Sequence, residues 1–95
     1  MRFEWDPAKA RANGRKHAVS FEKAASIFRG FYIDRPDTRQ DYGEARFIAL
    51  GIDSNGVVLN VVHTFRGETI RIISAWKASR HGREAYAKAH PDRTL

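Results

Sequence analysis

The 95-residue sequence contains no cysteine. Disulfides, iron–sulfur clusters, thiolate zinc sites and cysteine nucleophiles are thereby excluded. No apolar run approaches the roughly 20 residues that a membrane helix needs. The opening stretch, Met-Arg-Phe-Glu-Trp-Asp-Pro, is charged and lacks the apolar core of a secretory signal. The expected protein is soluble and cytoplasmic, with no membrane partner. The seven glycines are dispersed, so there is no glycine-rich phosphate loop. The four histidines show no metal-ligand spacing beside a carboxylate, and neither a metal nor any other cofactor is expected. No repeat, linker or low-complexity segment divides the chain. Residues 1–95 are read as one domain, with 90–95 as a frayed tail.

Acidic side chains are also in short supply. Seventeen Lys and Arg stand against eleven Asp and Glu, a net charge of +6. The excess is concentrated at the two ends. Residues 1–29 hold seven basic and three acidic side chains, residues 30–60 three and five, and residues 61–95 seven and three. Two basic ends meeting over one surface would attract a polyanion; scattered, they would only solvate the protein.

Hydrophobic spacing gives an α+β fold. Phe3 and Trp5 flank Glu4 as a short strand would. Asp6-Pro7 reads as a helix start, because Asp can cap free amides and Pro fits the first helical position. That helix is expected over about residues 7–13 or a little beyond, ended or bent by Gly14. Ser20 caps a second helix whose Phe21, Ala24, Ala25 and Phe28 share one face, with Val19 stapled onto Ala24 and Gly30 as the stop. Residues 32–43 read as a loop with room for one short edge strand. Residues 45–52, 57–65 and 69–76 read as an antiparallel meander, turned at Asn55-Gly56 and Gly67. In the last strand Ile70 and Ile72 lie on one face, Arg71 and Ile73 on the other. Ser79 caps a third helix to about residue 89. The expected architecture is an antiparallel meander sheet of three to five strands, with two N-terminal helices and one C-terminal helix.

Some residues carry chemistry by type and place. Lys16-His17, beside Arg15, is expected in a loop between two helices, where a near-neutral imidazole and a cation could act on a phosphodiester. The alternative is a helix C-terminus with its usual basic residues. Arg46 starts the sheet and Arg66 lies at a hairpin tip. Arg71, in mid-strand, needs either a wet cleft or an acid such as Glu44. Arg80 and Arg83 at a helix start oppose the helix dipole, as cations held for a phosphate would, or else they pair with the 34–44 loop. His63 reads as partly buried and hydrogen-bonded, His81 and His90 as exposed. Trp76 and Tyr86 could stack on bases, or be core or interface residues, and that plainer role is favoured for Trp76.

Two stretches, FEWDPAKARANGRKHAVSFEKAASIF and GEARFIALGIDSNGVVLNVVHTFRGETIRIISAWKAS, resemble the BrnT family of toxins from type II toxin–antitoxin systems, over about residues 2–86. The resemblance implies a RelE-like fold and an endoribonuclease that halts translation. It also implies neutralisation by a BrnA-like antitoxin with a ribbon-helix-helix DNA-binding domain, so that DNA is met only through that partner. The chain would be monomeric alone or paired through an antitoxin dimer. On this reading Lys16, His17, Glu44, Arg46, Arg66 and Arg80 are the catalytic candidates, and Arg15, Arg71, Arg83 and Tyr86 the RNA contacts. The sequence departs from the pattern the resemblance implies: Ala45 stands where the family often has the second of two glutamates, Trp76 where it usually has a basic residue and Gly82 where it usually has a glutamate. These departures support an alternative, a weakly active or inactive module that holds the antitoxin and acts as a co-repressor.

Overall fold

The computed structural model describes residues 1–91, so the frayed-tail expectation for the last four positions lies outside the described residues. The chain forms β1 (Arg2–Glu4), α1 (Pro7–His17), α2 (Phe21–Ser26) with a 3-10 turn (Ile27–Arg29), β2 (Tyr32–Pro36), β3 (Phe47–Ile52), β4 (Val58–Arg66), β5 (Thr69–Lys77) and α3 (Arg80–Ala89). The five strands make one sheet in the order β1-β5-β4-β3-β2. Strands β2 to β5 run antiparallel, as expected. Strand β1 pairs with β5 in parallel, so the sheet is mixed rather than purely antiparallel. The physical reason is connectivity: α1 and α2 intervene between β1 and the meander, and a helical crossover lets a strand enter parallel. The possible edge strand after residue 32 is β2.

Each helix begins where a side chain can accept an orphan amide. Asp6 Oδ1 accepts from the Ala8 N–H at 2.9 Å, Ser20 Oγ from Lys23 at 3.1 Å and Ser79 Oγ from Gly82 at 3.3 Å. At the β4–β5 hairpin, Gly67 takes φ +62° while Glu68 stays at negative φ, the pattern of a type II′ turn.

The helical layer lies on one face of the sheet. Phe21, Ala24, Ile27 and Phe28 pack there on Ala49, Leu59, Val61, Ile70, Ile72 and Ala75. Helix α3 covers part of the other face, where Leu50, Ala78 and Tyr86 meet Phe31, Ile33 and Val58. An irregularity in β5 decides what else reaches that second face. Val62 pairs with Ser74, but His63 pairs with Ile72, which leaves Ile73 as an extra residue. The bulge reverses the alternation. Ile70, Ile72 and Ala75 all point into the helical core, and Ser74 and Trp76 are turned to the opposite face. There they continue the cross-strand rows Arg35–Ile48–Val62–Ser74 and Ile33–Leu50–Asn60–Trp76.

Helix α1 does not end at Gly14. It runs three residues further, to His17. A glycine in a helix interior costs about 1 kcal/mol relative to alanine. The buried Asn13, one residue earlier, outweighs it. Among the described residues no strand lies beside the outer edge of β5 beyond β1, and the Asn13 amide takes that place. Its Nδ2 donates to Ala75 O at 2.9 Å and to Val19 O at 3.0 Å. Its Oδ1 accepts the Ala75 N–H at 3.1 Å and the Ser74 hydroxyl at 3.3 Å. All four valences of the amide are used. Replacing Asn13 by Ala would leave several buried backbone groups unsatisfied. We expect a loss of about 1–3 kcal/mol in unfolding free energy, measurable by urea denaturation of the full chain.

Candidate functional site

Because α1 reaches His17 and is pinned to β5 by Asn13, its last turn stands beside Ser74 and Trp76. Lys16, His17, Arg39, Ser74 and Trp76 line a hollow of about 350 Å³. The Lys16-His17 pair is therefore not in a loop, as the short reading of α1 implied, but in the final helical turn with Arg15. There the three basic side chains face the negative end of the helix dipole. The next residue, Ala18, closes the helix in the left-handed region at φ 57°, donating its N–H to Gly14 O. A non-glycine residue in that conformation costs roughly 1–2 kcal/mol. The strain lies directly after His17.

Arg39, which faces Lys16 and His17 across the hollow, was not among the sequence candidates. Nothing in the 32–43 stretch distinguishes it by type from Arg35. Its environment does. The Asp37 carboxylate is buried and accepts from Arg39 Nε at 2.8 Å and from Arg39 Nη2 at 2.8 Å. It also takes the Arg39 backbone N–H at 3.2 Å and the Tyr42 hydroxyl at 3.0 Å. The Asp37 N–H in turn donates to Arg46 O at 2.8 Å, and Thr64 Oγ1 donates to Ala45 O at 2.7 Å, which seats the 37–46 loop on the sheet. Arg39 is thus a cation in a fixed pose. Its guanidinium carbon lies 5.5 Å from the centre of the Trp76 ring, and the His17 ring lies 6.2 Å from the same ring, tilted by 43°.

The remaining candidates fall into separate groups. Glu44 bridges two arginines, with Oε2 3.1 Å from Arg46 Nε and Oε1 3.5 Å from Arg66 Nη2; Arg46 also lies over the Tyr42 ring at 4.3 Å. Arg71 finds its acid in Glu4, at 2.6 Å, and not in Glu44; the two face each other across the β1–β5 pairing, which a purely antiparallel sheet would not have supplied. Arg80 pairs with Glu84 one turn along α3, in full solvent, where such pairs contribute little. Arg83 donates to Ala78 O at 3.2 Å. None of these residues lines the hollow, and neither do the loop pairs expected for Arg80 and Arg83 form.

The two aromatic candidates exchange places. Tyr86 is only 5 % exposed; its ring packs on Phe31 and its hydroxyl donates to Phe31 O at 2.9 Å, so it cannot present a face to RNA. Burial raises its pKa. Trp76, expected in the core or an interface, is half-buried and forms a wall of the hollow. His90 is half-buried against Phe31 and Tyr86 rather than exposed. His63 is buried more deeply than expected. It is enclosed by Phe28, Phe47 and Phe65, with Nδ1 3.2 Å from Val61 O, and Nε2 is 3.5 Å from Asp34 without hydrogen-bond geometry. It lies on the helical face, away from the hollow. Among the described residues no group of His, Asp and Glu is arranged to hold a metal, and no helix is long and apolar enough to cross a membrane.

The Asp37–Arg39 clamp has a pH signature. Hydrogen bonds from the Arg39 side chain and backbone, then the Tyr42 hydroxyl and the Arg39 charge, outweigh burial and hold the Asp37 carboxyl well below the usual carboxylate value of 3.8. A group depressed on folding stabilises the native state above its unfolded pKa. That contribution is lost only as pH falls through the lower folded value. The loop should therefore stay clamped down to pH values at which ordinary carboxylates are already protonated. Replacing Arg39 by Met should return the Asp37 midpoint toward 3.8, read by carboxyl-carbon NMR titration.

Comparison with known proteins gives a consistent result. The family model described as "Ribonuclease toxin, BrnT, of type II toxin-antitoxin system" matches residues 5–82. No curated protein matches the sequence significantly. Among solved structures, the ribonuclease toxin BrnT of Brucella abortus superposes with a TM-score of 0.62 at 22 % identity, over 84 % of this chain and 99 % of that one. That likeness is one of fold, whereas the family model spans most of the sequence. The chain belongs to the BrnT ribonuclease-toxin family of type II toxin–antitoxin systems.

Proposed function

We propose that this chain is a metal-independent endoribonuclease that inhibits translation in the cytoplasm and is neutralised by a BrnA-like ribbon-helix-helix antitoxin. The observation that carries the reading is the hollow itself. An imidazole, an ammonium and a clamped guanidinium converge on a space open to a phosphodiester. Cleaving RNA with protein groups alone needs a base for the ribose 2′-OH, cations for the charge growing on phosphorus, and an acid for the departing 5′-oxygen.

His17 is assigned as the base. The 2′-oxygen then attacks the adjacent phosphorus while the bond from phosphorus to the 5′-oxygen breaks. Lys16 is assigned as the cation nearest the leaving oxygen and the source of its proton. Arg39 is assigned to the non-bridging oxygens, because a planar guanidinium donates parallel hydrogen bonds and this one is already oriented by Asp37. The products are a 2′,3′-cyclic phosphate and a free 5′-hydroxyl. Arg46, Arg66 and Arg80 are assigned, with Arg15, Arg71 and Arg83, to flanking phosphates rather than to the reacting one, and Glu44 to holding Arg46 and Arg66 in place. None of these arginines lines the hollow.

The co-repressor alternative draws on one structural observation. Glu44, the carboxylate nearest the family's paired glutamates, is held between Arg46 and Arg66 and does not line the hollow. A single experiment separates the two. Purified full chain incubated with RNA and EDTA should yield fragments ending in 2′,3′-cyclic phosphate. Replacing Lys16 or His17 by Ala should slow cleavage by about 100-fold or more. Intact RNA at high concentrations of folded protein would favour the module. Cleavage rates unchanged in both variants would remove these two residues from the chemistry.

A further inference from the structure

We infer that Trp76 seats a nucleobase, so that the hollow takes a whole nucleotide and not a bare phosphate. The inference rests on the phosphate reading above and deepens it. It starts from size. About 350 Å³ is far more than one phosphate group occupies, and it falls at the low end of the roughly 300–1,000 Å³ typical of small-ligand pockets. Polar and charged side chains, Lys16, His17, Arg39 and Ser74, account for every other lining residue. The one large apolar surface among them is the indole.

The state of that indole is the second argument. Aromatic rings in contact have centroids about 4.5–7 Å apart, and a cation–π contact reaches to about 6 Å from the ring centre. The Arg39 guanidinium is 5.5 Å from the ring centre, and the His17 ring is at 6.2 Å with a 43° tilt. Both are neighbours of the indole, but Arg39 lies near the outer limit of the cation–π range and the His17 ring is inclined to it rather than parallel. The other described aromatic rings near the sheet are differently placed. Trp5 packs edge-on against Phe21, Tyr86 against Phe31, and Tyr42 lies beneath Arg46. Trp76 is half-buried, and it is the aromatic ring that lines the hollow beside the cations. The β5 bulge is what turns it there, since without the extra residue at Ile73 it would point into the helical core.

The chemistry that fits is a planar, electron-rich or electron-poor heterocycle of any sequence, stacked on the indole, with its phosphate toward Lys16, His17 and Arg39. Base–aromatic stacking tolerates every base because each has a π-face. Trp76 is therefore a substrate-seating residue that favours single-stranded RNA, whose bases are free to leave their stack.

The test uses adenosine 3′-monophosphate and, separately, inorganic phosphate, each titrated into the full chain. Binding is followed by calorimetry and by the indole N–H signal of Trp76 in NMR, assigned with Trp76→Phe. The nucleotide should bind more tightly than phosphate and shift the Trp76 signal. Trp76→Ala should weaken nucleotide binding by about tenfold while leaving phosphate binding unchanged, and Trp76→Phe should retain most of the affinity. Nucleotide affinity unchanged in Trp76→Ala would overturn the inference. If phosphate binding is still lost in Lys16→Ala under that outcome, the proposed function survives it. Failure of the folded protein to bind either ligand would overturn both.

Discussion

The site depends on one amide. Asn13 joins α1 to the bare outer edge of β5, making with Ala75 the pair of hydrogen bonds that a neighbouring strand would make. Without it the helix would have reason to stop at Gly14, and Lys16 and His17 would belong to a loop with no fixed relation to the sheet. With it, the last turn of α1 is tied to the residue between Ser74 and Trp76. The same side chain also holds the Ser74 hydroxyl and the Val19 carbonyl, so it fixes the hollow's wall and the chain's path into α2 together. A buried amide with all its valences used adds little net free energy but is costly to break, which makes its geometry unique rather than strong.

A second constraint sorts the cations. A surplus of six positive charges says nothing about which of them can act. Arg46 and Arg66 share Glu44, Arg71 has Glu4 and Arg80 has Glu84. Arg39 is paired as well, but its partner Asp37 is buried and holds the Nε and Nη2 edge of the guanidinium, with Nη1 outside the pair. That pairing orients the guanidinium without moving it out of the hollow. The distinction is geometric: Glu44, Glu4 and Glu84 are partly exposed and meet each arginine through one nitrogen, whereas the buried Asp37 fixes the plane of the Arg39 guanidinium through two.

Much of the fold was legible because the relevant signals are local. The caps at Asp6, Ser20 and Ser79, the meander and the stop at Gly30 follow from residue type and spacing. What was illegible depends on long-range pairing. The Glu4–Arg71 bond needs β1 to lie beside β5, which no local pattern encodes. The bulge at Ile73 shows the same limit. Alternation read without it puts Trp76 with Ile70 and Ile72 on the core face, whereas the structure turns it to the opposite face. Lys16 and His17 could be named from the sequence because they are adjacent in it. Arg39 could not, because what sets it apart is a carboxylate two residues away and a ring on a different strand.

Trp76 also changes the balance of forces by which such a hollow would hold RNA. The family's usual residue there is basic, as the sequence resemblance implies. A cation contacting one phosphate of a single strand adds about 0.7 to the slope of log affinity against log salt concentration. An aromatic ring adds nothing to that slope but contributes about 1–3 kcal/mol per stacked base. The exchange therefore need not weaken binding; it converts part of it from charge, which salt screens, to stacking, which salt leaves intact. With Arg39 oriented by Asp37 and Lys16 and His17 carried on a pinned helix, the hollow keeps enough positive charge to position a phosphate. A site arranged this way would discriminate by whether a base is free to leave its neighbours, and hence by the strandedness of the RNA more than by its charge.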